Sequence, residues 1–253
     1  MRHLFTPAGE RAMRAAMARA PLLAFDFDGT LAPIVQHPND ARIAPAEAAL
    51  LARLARLRPV AIVTGRSVDD VRTRLGFEPA WVIGSHGAED PDAAANADRL
   101  VRALDGARAR IAAHRDELER LGVVIEDKGH SLALHYRRAP DPAGTAQRIE
   151  RVLDGLGDGV GVFGGKCVAN VVSAEAPDKG DAVVALAARA GAGGVVFAGD
   201  DVNDEAVFER AQPHWLAVRV GRDEHASSTA AWFLRDRAEV ATMLRRMLEL
   251  IDG

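Results

Sequence analysis

A short apolar run that ends in two aspartates constrains this chain more than any other stretch. Residues 22–25 have the length and composition of a buried strand, and Asp26-Phe27-Asp28-Gly29-Thr30 follows directly. Because side chains alternate along an extended chain, Asp26 and Asp28 point the same way just past the strand. Two converging carboxylates are unfavourable unless a cation or a shared proton separates them. The alternative is a strand followed by an aspartate-rich turn without a chemical role.

Charge and cysteine content narrow the classes of partner. The 253 residues carry a net charge of −4, which argues against a general affinity for nucleic acid or anionic membranes. The longest apolar stretches are shorter than a membrane span, and residues 1–20 lack the apolar core of a signal peptide. The single cysteine, Cys167, excludes an intramolecular disulfide and fits a reducing cytosol. We therefore expect a cytoplasmic monomer with no nucleic-acid or membrane partner.

Lysine is rare among the cations of this chain. Of 32 cationic residues, three are lysine: Lys128, Lys166 and Lys179. Lysine differs from arginine in being a compact, flexible point charge, so its retention can mark a functional need. Chance survival of three lysines is the alternative, and grouping of all three near one site would argue against it.

The first third of the chain alternates between helical and strand patterns. Helices are predicted over 8–19, 45–57 and 67–75, the last capped by Ser67, with strands over 60–63 and 81–83. Such alternation predicts a parallel sheet with right-handed crossovers.

The pattern changes after a polar stretch at 90–96. One long helix is predicted over 97–121, then a hairpin of 123–126 with 131–136. A helix over 143–153 precedes a second hairpin, of 160–163 with 166–172, whose turn is placed at Gly164-Gly165. This order describes a small antiparallel α+β module. The earlier alternation then resumes, with helices over 178–190 and 236–251 and strands over 195–198 and 215–218.

Three predicted strands end in groups that can do chemistry. Besides the first aspartate pair, Thr64 follows the second strand, and Asp200 and Asp201 follow the strand at 195–198. Lys179 stands at a helix start, where the dipole favours anions, so it suggests a negative partner close by. The alternatives are a solvated lysine and aspartates that merely cap the following helix.

Four motifs in order resemble the signature of haloacid dehalogenase-type phosphatases: D-x-D-G-T at Asp26, then Thr64, Lys179 and G-D-D-x-N-D from Gly199. Further stretches are similar to the trehalose-6-phosphate phosphatases, namely Ile83-Gly84-Ser85-His86-Gly87-Ala88-Glu89, Glu126-x-Lys128-Gly129, Leu134-His135-Tyr136-Arg137 and Gly165-Lys166-Cys167-Val168. The similarity spans about residues 22–210. It implies an α/β fold, with a Rossmann-like parallel-sheet core of haloacid dehalogenase type (1–89 and 174–253) and an inserted α+β cap of two αββ units (90–173).

The resemblance also implies a reaction, the Mg²⁺-dependent hydrolysis of a phosphorylated disaccharide through an aspartyl-phosphate. Asp26 would be the nucleophile and Asp28 the general acid and base. Mg²⁺ would be held by the Asp26 carboxylate, the Asp28 main-chain oxygen and Asp200. Asp201 and Asp204 would order the metal's water and Lys179.

Binding residues follow from the same resemblance. Thr64 and Lys179 would bind the phosphate oxygens with the backbone N–H groups of Gly29 and Gly65. The remaining substrate contacts implied are Arg66 and His86 in the core and Glu126, Lys128, Lys166 and Asn170 in the cap.

One position departs from the family pattern. Trehalose-6-phosphate phosphatases usually carry a glutamate four residues after the lysine that corresponds to Lys166, and this chain has Asn170. Three hypotheses stay open: hydrolysis of trehalose 6-phosphate, hydrolysis of another phosphorylated glycoside such as a sucrose- or mannosylglycerate-type phosphate, and a non-catalytic sugar-phosphate sensor. The complete set of Asp26, Asp28, Lys179 and Asp200 argues against the sensor.

Overall fold

The structure is a computed structural model that describes residues 1–35, 37–93, 97–165, 167–221 and 227–252. Contacts divide the chain into two units, Met1–Gly87 together with Asp178–Gly253, and Ala88–Pro177. We call the first the core unit and the second the inserted unit. No helix within the described ranges is both long and apolar enough to span a bilayer.

The core unit is built on a seven-stranded parallel sheet. Its spatial order is β1-β11-β10-β9-β2-β3-β4. The strands are β1 (Arg2–His3), β2 (Leu22–Phe25), β3 (Val60–Val63), β4 (Trp81–Ile83), β9 (Val195–Gly199), β10 (Leu216–Val220) and β11 (Trp232–Leu234). The predicted parallel sheet is confirmed, and β9, β2 and β3 are neighbours in it.

Helices cover both faces of this sheet. They are α1 (Pro7–Met17), α2 (Pro45–Ala55), α3 (Val68–Arg72), α8 (Lys179–Arg189), α9 (Glu205–Glu209) and α10 (Arg237–Asp252). Alternate residues of β2 enter different cores: Leu23 packs with residues of α1, α2 and α10, and Leu22 packs with residues of α8 and α9. Burying each such leucine contributes about 1.5–3 kcal/mol. Both faces of the strand are therefore apolar, as its sequence predicted.

Two helix starts carry the caps expected from their sequences. The Ser67 side chain accepts a hydrogen bond from the Asp70 N–H and caps α3. The Asp178 side chain accepts from the Asp181 N–H and caps α8, and the Asp181 side chain accepts from the Asp178 N–H, which completes a capping box. This cap fixes the point at which Lys179, the first residue of α8, enters the fold.

The inserted unit has a four-stranded antiparallel sheet in the order β5-β6-β8-β7. The strands are β5 (Val124–Asp127), β6 (Ser131–His135), β7 (Val160–Gly165) and β8 (Val168–Ser173). Leu132, Leu134 and Val171 pack with helix residues such as Ile111 and Ile149 in one apolar cluster. The other face of the sheet carries the alternate residues, among them Glu126 and Asn170.

The prediction of one long helix over 97–121 is wrong. The segment forms three short helices, α4 (Ala97–Arg102), α5 (Asp105–Ala113) and α6 (Arg115–Arg120), followed later by α7 (Pro142–Leu153). The Leu104 N–H bonds to the Val101 carbonyl and the His114 N–H to the Ile111 carbonyl, both three residues back, so each helix tightens and ends. Arg108 also donates to the Val101 carbonyl at 2.8 Å, which stabilises the first break. Arg108 is held there by Asp127 at 2.8 Å and by the Gly129 carbonyl at 2.6 Å, which lie 19 and 21 residues further along the chain and leave no local sequence signal.

The second hairpin turns later than predicted. Gly165 pairs with Val168, so Gly164 and Gly165 belong to β7 and do not form the turn. Cys167, which precedes β8, has a positive φ of +61°. The sequence placed the turn at the glycine pair because glycine adopts such backbone angles most readily.

Candidate active site

The carboxyl ends of three neighbouring strands place polar residues at one edge of the core sheet. Asp26 follows β2, Thr64 follows β3, and Asp200 follows β9. Ligands of open α/β sheets bind at this edge, because loops there leave a crevice between diverging connections. The predicted candidates that follow these strands therefore lie together.

Three carboxylates and one ammonium group form the centre of this edge. Asp26, Asp200 and Asp204 each offer an oxygen, and these oxygens lie within 4.8 Å of one another. Lys179 Nζ donates to Asp26 Oδ1 at 2.8 Å and to Asp204 Oδ1 at 2.7 Å. All four side chains are buried, and Asp204 has no exposed surface. The negative partner expected for Lys179 is thus a pair of aspartates.

Burial and charge shift the pKa values of this cluster. Burial raises the pKa of Asp26 well above its ordinary value; the charges of Asp204 and Asp200 act in the same direction, and Lys179 opposes them. Burial alone would lower the pKa of Lys179, but Asp204 and Asp26 raise it above its ordinary value. Lys179 therefore stays protonated while it neutralises one of three neighbouring carboxylates.

The chemistry of this cluster fits a divalent cation. Hard carboxylate oxygens are the ligands that Mg²⁺ and similar ions take, and a cation would relieve the repulsion among three buried acids. Asp204 is the least available of the three, since Oδ1 accepts from Lys179 and Oδ2 accepts from the Asp201 N–H at 2.9 Å. Asp201 Oδ1 accepts from the Val202 N–H, so this carboxylate caps the 3₁₀ helix Val202–Asp204. Asp26 and Asp200 are thus the better placed candidates for direct ligands.

Gly29 lets the first loop approach Asp200 closely. Its φ is +82°, and a Cβ there would lie 2.1 Å from Asp200 Oδ2. Both conditions require glycine. The Gly29 N–H, which is predicted to serve the phosphate, donates to the Ala32 carbonyl at 2.8 Å inside its own turn in this structure. The hydroxyl of Thr30, which the sequence analysis did not single out, donates to Asp200 Oδ1 at 3.4 Å.

Arg66 binds Asp28, the second aspartate of the D-x-D-G-T motif. Its Nε and Nη2 donate to the two oxygens of Asp28 at 2.7 and 2.8 Å, and Nη1 donates to Asp70 at 2.8 Å. Burial would lower the pKa of Arg66, but Asp28 and Asp70 raise it. Asp70 also binds Arg74, and hydrogen bonds from Arg74 and Arg66 lower the pKa of Asp70 in spite of its partial burial. Arg66, predicted to contact substrate, thus holds Asp28 in this structure.

The turn after β4 packs on the loop after β3. The His86 N–H donates to the Thr64 carbonyl at 2.9 Å, and Thr64 Oγ1 accepts from the Arg66 N–H at 3.2 Å. A Cβ on Gly65 would lie 2.3 Å from His86 Cε1, so glycine is needed for this approach. His86 itself has a φ of +61°, in the left-handed region that non-glycine residues seldom adopt. The structure therefore brings His86 and Gly65 together.

The inserted unit gathers the other polar candidates on one sheet face. Glu126 Oε2 lies 3.0 Å from His135 Nε2 and 3.6 Å from Lys128 Nζ. Glu126 is in register with Ala133, and Ala133 with Asn170, so Glu126 and Asn170 share a row about 10 Å apart. Asn170 is buried and the Glu126 side chain is half exposed. Lys166 lies outside the described residues, so the predicted grouping of the three lysines stays a prediction.

Sequence reasoning missed two residues, His135 in the inserted unit and Arg219 in the core unit. His135 lies in a stretch similar to the trehalose-6-phosphate phosphatases but was not predicted as a site residue. Its period-two spacing from Ala133 in the predicted hairpin was the signal, and in the structure it pairs with Val124 on the face of Glu126. Arg219 was not predicted to have a role at the site. It is a buried arginine in the strand β10, whose remaining side chains are apolar, and that exception to the pattern was its signal.

Known proteins resemble this chain over nearly its whole length. Residues 24–238 match the family model for trehalose-phosphatase. A trehalose-phosphate phosphatase of Mycolicibacterium paratuberculosis is 34% identical over 249 residues, which cover 92% of this chain and 63% of that protein. This chain therefore spans less than two thirds of that relative's length.

Solved structures share the fold. The C-terminal domain of Candida albicans trehalose-6-phosphate phosphatase superposes with a TM-score of 0.80 at 22% identity, covering 94% of this chain and 96% of that one. A haloacid dehalogenase-like hydrolase from Bacillus subtilis superposes with a TM-score of 0.57 at 17% identity, covering 88% and 98%.

A parallel core sheet with an acidic cluster at its carboxyl edge, interrupted by an antiparallel α+β insertion, is the haloacid dehalogenase-like fold with a cap. The predicted fold class is confirmed. Within that class, the chain belongs to the trehalose-phosphatase family.

Proposed function

We propose that this chain hydrolyses the phosphate ester of trehalose 6-phosphate to trehalose and phosphate with Mg²⁺ as cofactor. The observation that carries the proposal is the buried cluster of Asp26, Asp200 and Asp204 with Lys179 at the carboxyl edge of the core sheet. Family membership supports the phosphorylated sugar as substrate. When bound, Mg²⁺ supplies positive charge that reduces the repulsion between a carboxylate and a phosphate dianion.

The proposed reaction has two steps. Asp26 attacks phosphorus, a bond forms between its carboxylate oxygen and phosphorus, and the bond from phosphorus to the sugar oxygen breaks. Asp28 gives its proton to that oxygen and then accepts a proton from the water that cleaves the aspartyl-phosphate. Each residue is thereby restored, and the products are sugar and phosphate.

Other core residues hold these two aspartates and the phosphate. Lys179 fixes Asp26 and brings positive charge to the phosphate, and the Thr64 hydroxyl donates a hydrogen bond to a phosphate oxygen. Arg66 orients Asp28 in its ionised form, the form that accepts the water's proton, through paired hydrogen bonds; this positioning role is proposed beside the substrate contact expected from the sequence. Gly65 and His86 lie beside this site and are proposed to complete the phosphate pocket. Asp26 and Asp200, with the Asp28 main-chain oxygen, would hold Mg²⁺.

We propose that the inserted unit is the cap domain that selects the sugar. Glu126, Lys128 and Asn170 present charged and amide groups of the kind that bond sugar hydroxyls, and His135 fixes Glu126 from the neighbouring strand. Lys166 is proposed to join them.

Asn170 gives a second candidate substrate some support. An amide both donates and accepts, whereas the glutamate usual at this position only accepts, so the position can favour a different pattern of hydroxyls. A related phosphorylated glycoside, such as a sucrose-type phosphate, is therefore the alternative substrate.

Phosphate release from a panel of sugar phosphates tests the proposal. We expect the purified chain to release phosphate from trehalose 6-phosphate faster than from sucrose 6-phosphate or glucose 6-phosphate, in Mg²⁺ and not after chelation. Faster release from another disaccharide phosphate would favour the alternative. Absence of release from all of them in Mg²⁺ would overturn the proposed activity.

A further inference from the structure

A buried arginine lies under the loop that carries Asp200. Arg219 belongs to β10, where it is in register with Gly199, the last residue of the neighbouring strand β9. Its side chain is 3% exposed. An arginine removed from water at a strand position is unfavourable unless strong partners replace its hydration, so its partners indicate what it does there.

Arg219 binds the backbone of the acidic loop. Nη2 donates to the Asp200 carbonyl at 2.6 Å and Nη1 donates to the Asp201 carbonyl at 3.1 Å. Both carbonyls lie just beyond the end of β9. The rigid, planar guanidinium therefore fixes the direction in which the loop leaves the strand, and with it the direction of the Asp200 side chain.

A glutamate holds the arginine in turn. Arg219 Nη1 donates to Glu205 Oε1 at 2.9 Å, and Glu205 Oε2 accepts from the Thr229 N–H and hydroxyl at 2.9 and 3.1 Å. Glu205 begins α9, directly after the loop, while Thr229 precedes β11. These hydrogen bonds connect the loop to β10 and to the segment before β11. Neither strand supplies a carboxylate of the cluster.

We infer that Arg219 is a positioning residue for cation binding, acting through the backbone of Asp200 and Asp201, and that Glu205 fixes Arg219 for this task. The inference rests on the proposed function, because it assumes that Asp200 is a metal ligand. Removal of groups that orient metal ligands typically weakens metal affinity by about 10- to 100-fold. Arg219→Lys keeps the charge but cannot span two carbonyls and a carboxylate, and Glu205→Gln keeps the shape but loses the charge.

Calorimetric titration of metal-stripped protein with Mg²⁺ measures this effect without any substrate. Arg219→Lys and Glu205→Gln are expected to raise the Mg²⁺ dissociation constant about 10-fold or more. Arg148→Lys and Glu117→Gln are matched controls, since they alter a paired arginine–glutamate contact in the inserted unit, and are expected to bind Mg²⁺ as the unaltered chain does. Saturating Mg²⁺ should restore most of kcat in the two test variants.

The outcomes separate this inference from the proposed function. Unchanged Mg²⁺ affinity in a folded Glu205→Gln variant would overturn the inference even if Arg219→Lys failed to fold. Absence of Mg²⁺ binding by the unaltered chain would overturn it as well. Normal Mg²⁺ binding with no phosphatase activity would refute the proposed function alone, and the loss of affinity in the variants would still support the role of Arg219.

Discussion

The two described lysines, Lys179 in the core unit and Lys128 in the inserted unit, show how differently the two regions hold their charges. Lys179 is 2% exposed and lies within 2.8 Å of two buried aspartates. The Lys128 side chain is 10% exposed, but it lies 3.6 Å from Glu126, whose side chain is half exposed. Buried charges fix one geometry, because any movement leaves an uncompensated charge. A longer ion pair with one half-exposed member can rearrange at lower energetic cost, which suits recognition of a flexible, hydroxyl-rich ligand more than bond making.

The largest effect is expected from the core unit, at Asp26. Asp26→Asn replaces the proposed nucleophile with an amide, so activity on every phosphate ester should fall by at least about 10⁴-fold. Steady-state phosphate release measures this loss. Asp252→Asn, at an exposed aspartate paired with Arg53, is the control and should keep full activity. If Asp26→Asn retained near-normal turnover, covalent catalysis at Asp26 would be wrong.

The next largest effect is expected on the free energy of unfolding, which substitutions of the two lysines should lower by different amounts. Lys179→Met leaves two buried carboxylates without their ammonium partner and should lower the free energy of unfolding by about 3–5 kcal/mol. Lys128→Met removes a longer contact to a half-exposed partner and should change it by less than about 1 kcal/mol. Urea denaturation in the presence of a chelator gives both values. Equal losses would show that burial does not distinguish the two regions.

Substrate preference, unlike stability, should depend on Lys128 of the inserted unit. Lys128→Ala should lower kcat/KM for trehalose 6-phosphate by about 10- to 100-fold, since a hydrogen bond to a charged group contributes about 1.5–3 kcal/mol. p-Nitrophenyl phosphate has no sugar, so its kcat/KM should stay within about twofold. Arg115→Ala, which breaks an exposed pair with Glu119 in the same unit, controls for general damage. A matching loss on both substrates would argue against a role in sugar selection.

The smallest effect concerns the stability of the inserted unit in acid. Paired hydrogen bonds from Arg148 lower the pKa of Glu117 to about 2. A lowered pKa in the folded state means that the contribution is complete above the ordinary pKa of about 4.3 and is lost as the pH falls towards 2. Arg148→Met should therefore melt at a lower temperature than the unaltered chain near neutral pH, with the difference shrinking below about pH 4. A constant difference across that range would contradict the assignment.

The strands and site residues of the core unit could be predicted from the sequence more completely than those of the inserted unit. Apolar strands ending in Asp26, Thr64 and Asp200 obey local rules, and parallel topology then places their ends side by side. The edge strand β1 and its neighbour β11 were missed: the two residues of β1 are polar and show no strand pattern, and the three residues of β11 are close to the shortest run that can be read as a strand.

Local sequence patterns could not predict which side chains contact one another. The sequence placed Arg66 near substrate, but its binding to Asp28 depends on how the β3 loop folds back towards the β2 loop. The break after α4 involves Arg108, which is held by Asp127 and the Gly129 carbonyl from 19 and 21 residues away. The position of Arg219 depends on a strand paired across the sheet. Contacts between residues far apart in sequence decided each of these.

The central claim is that Asp26 accepts the phosphoryl group before water does, and one experiment tests it most directly. p-Nitrophenolate leaves without a proton, so the Asp28→Asn variant should still transfer phosphate from p-nitrophenyl phosphate to Asp26 but should fail to activate water. We predict a rapid burst of one p-nitrophenolate per protein in Mg²⁺, followed by little turnover, with the phosphoryl group found on Asp26 by mass spectrometry after acid quench. Steady release without a burst, or a phosphoryl group on another residue, would contradict the account.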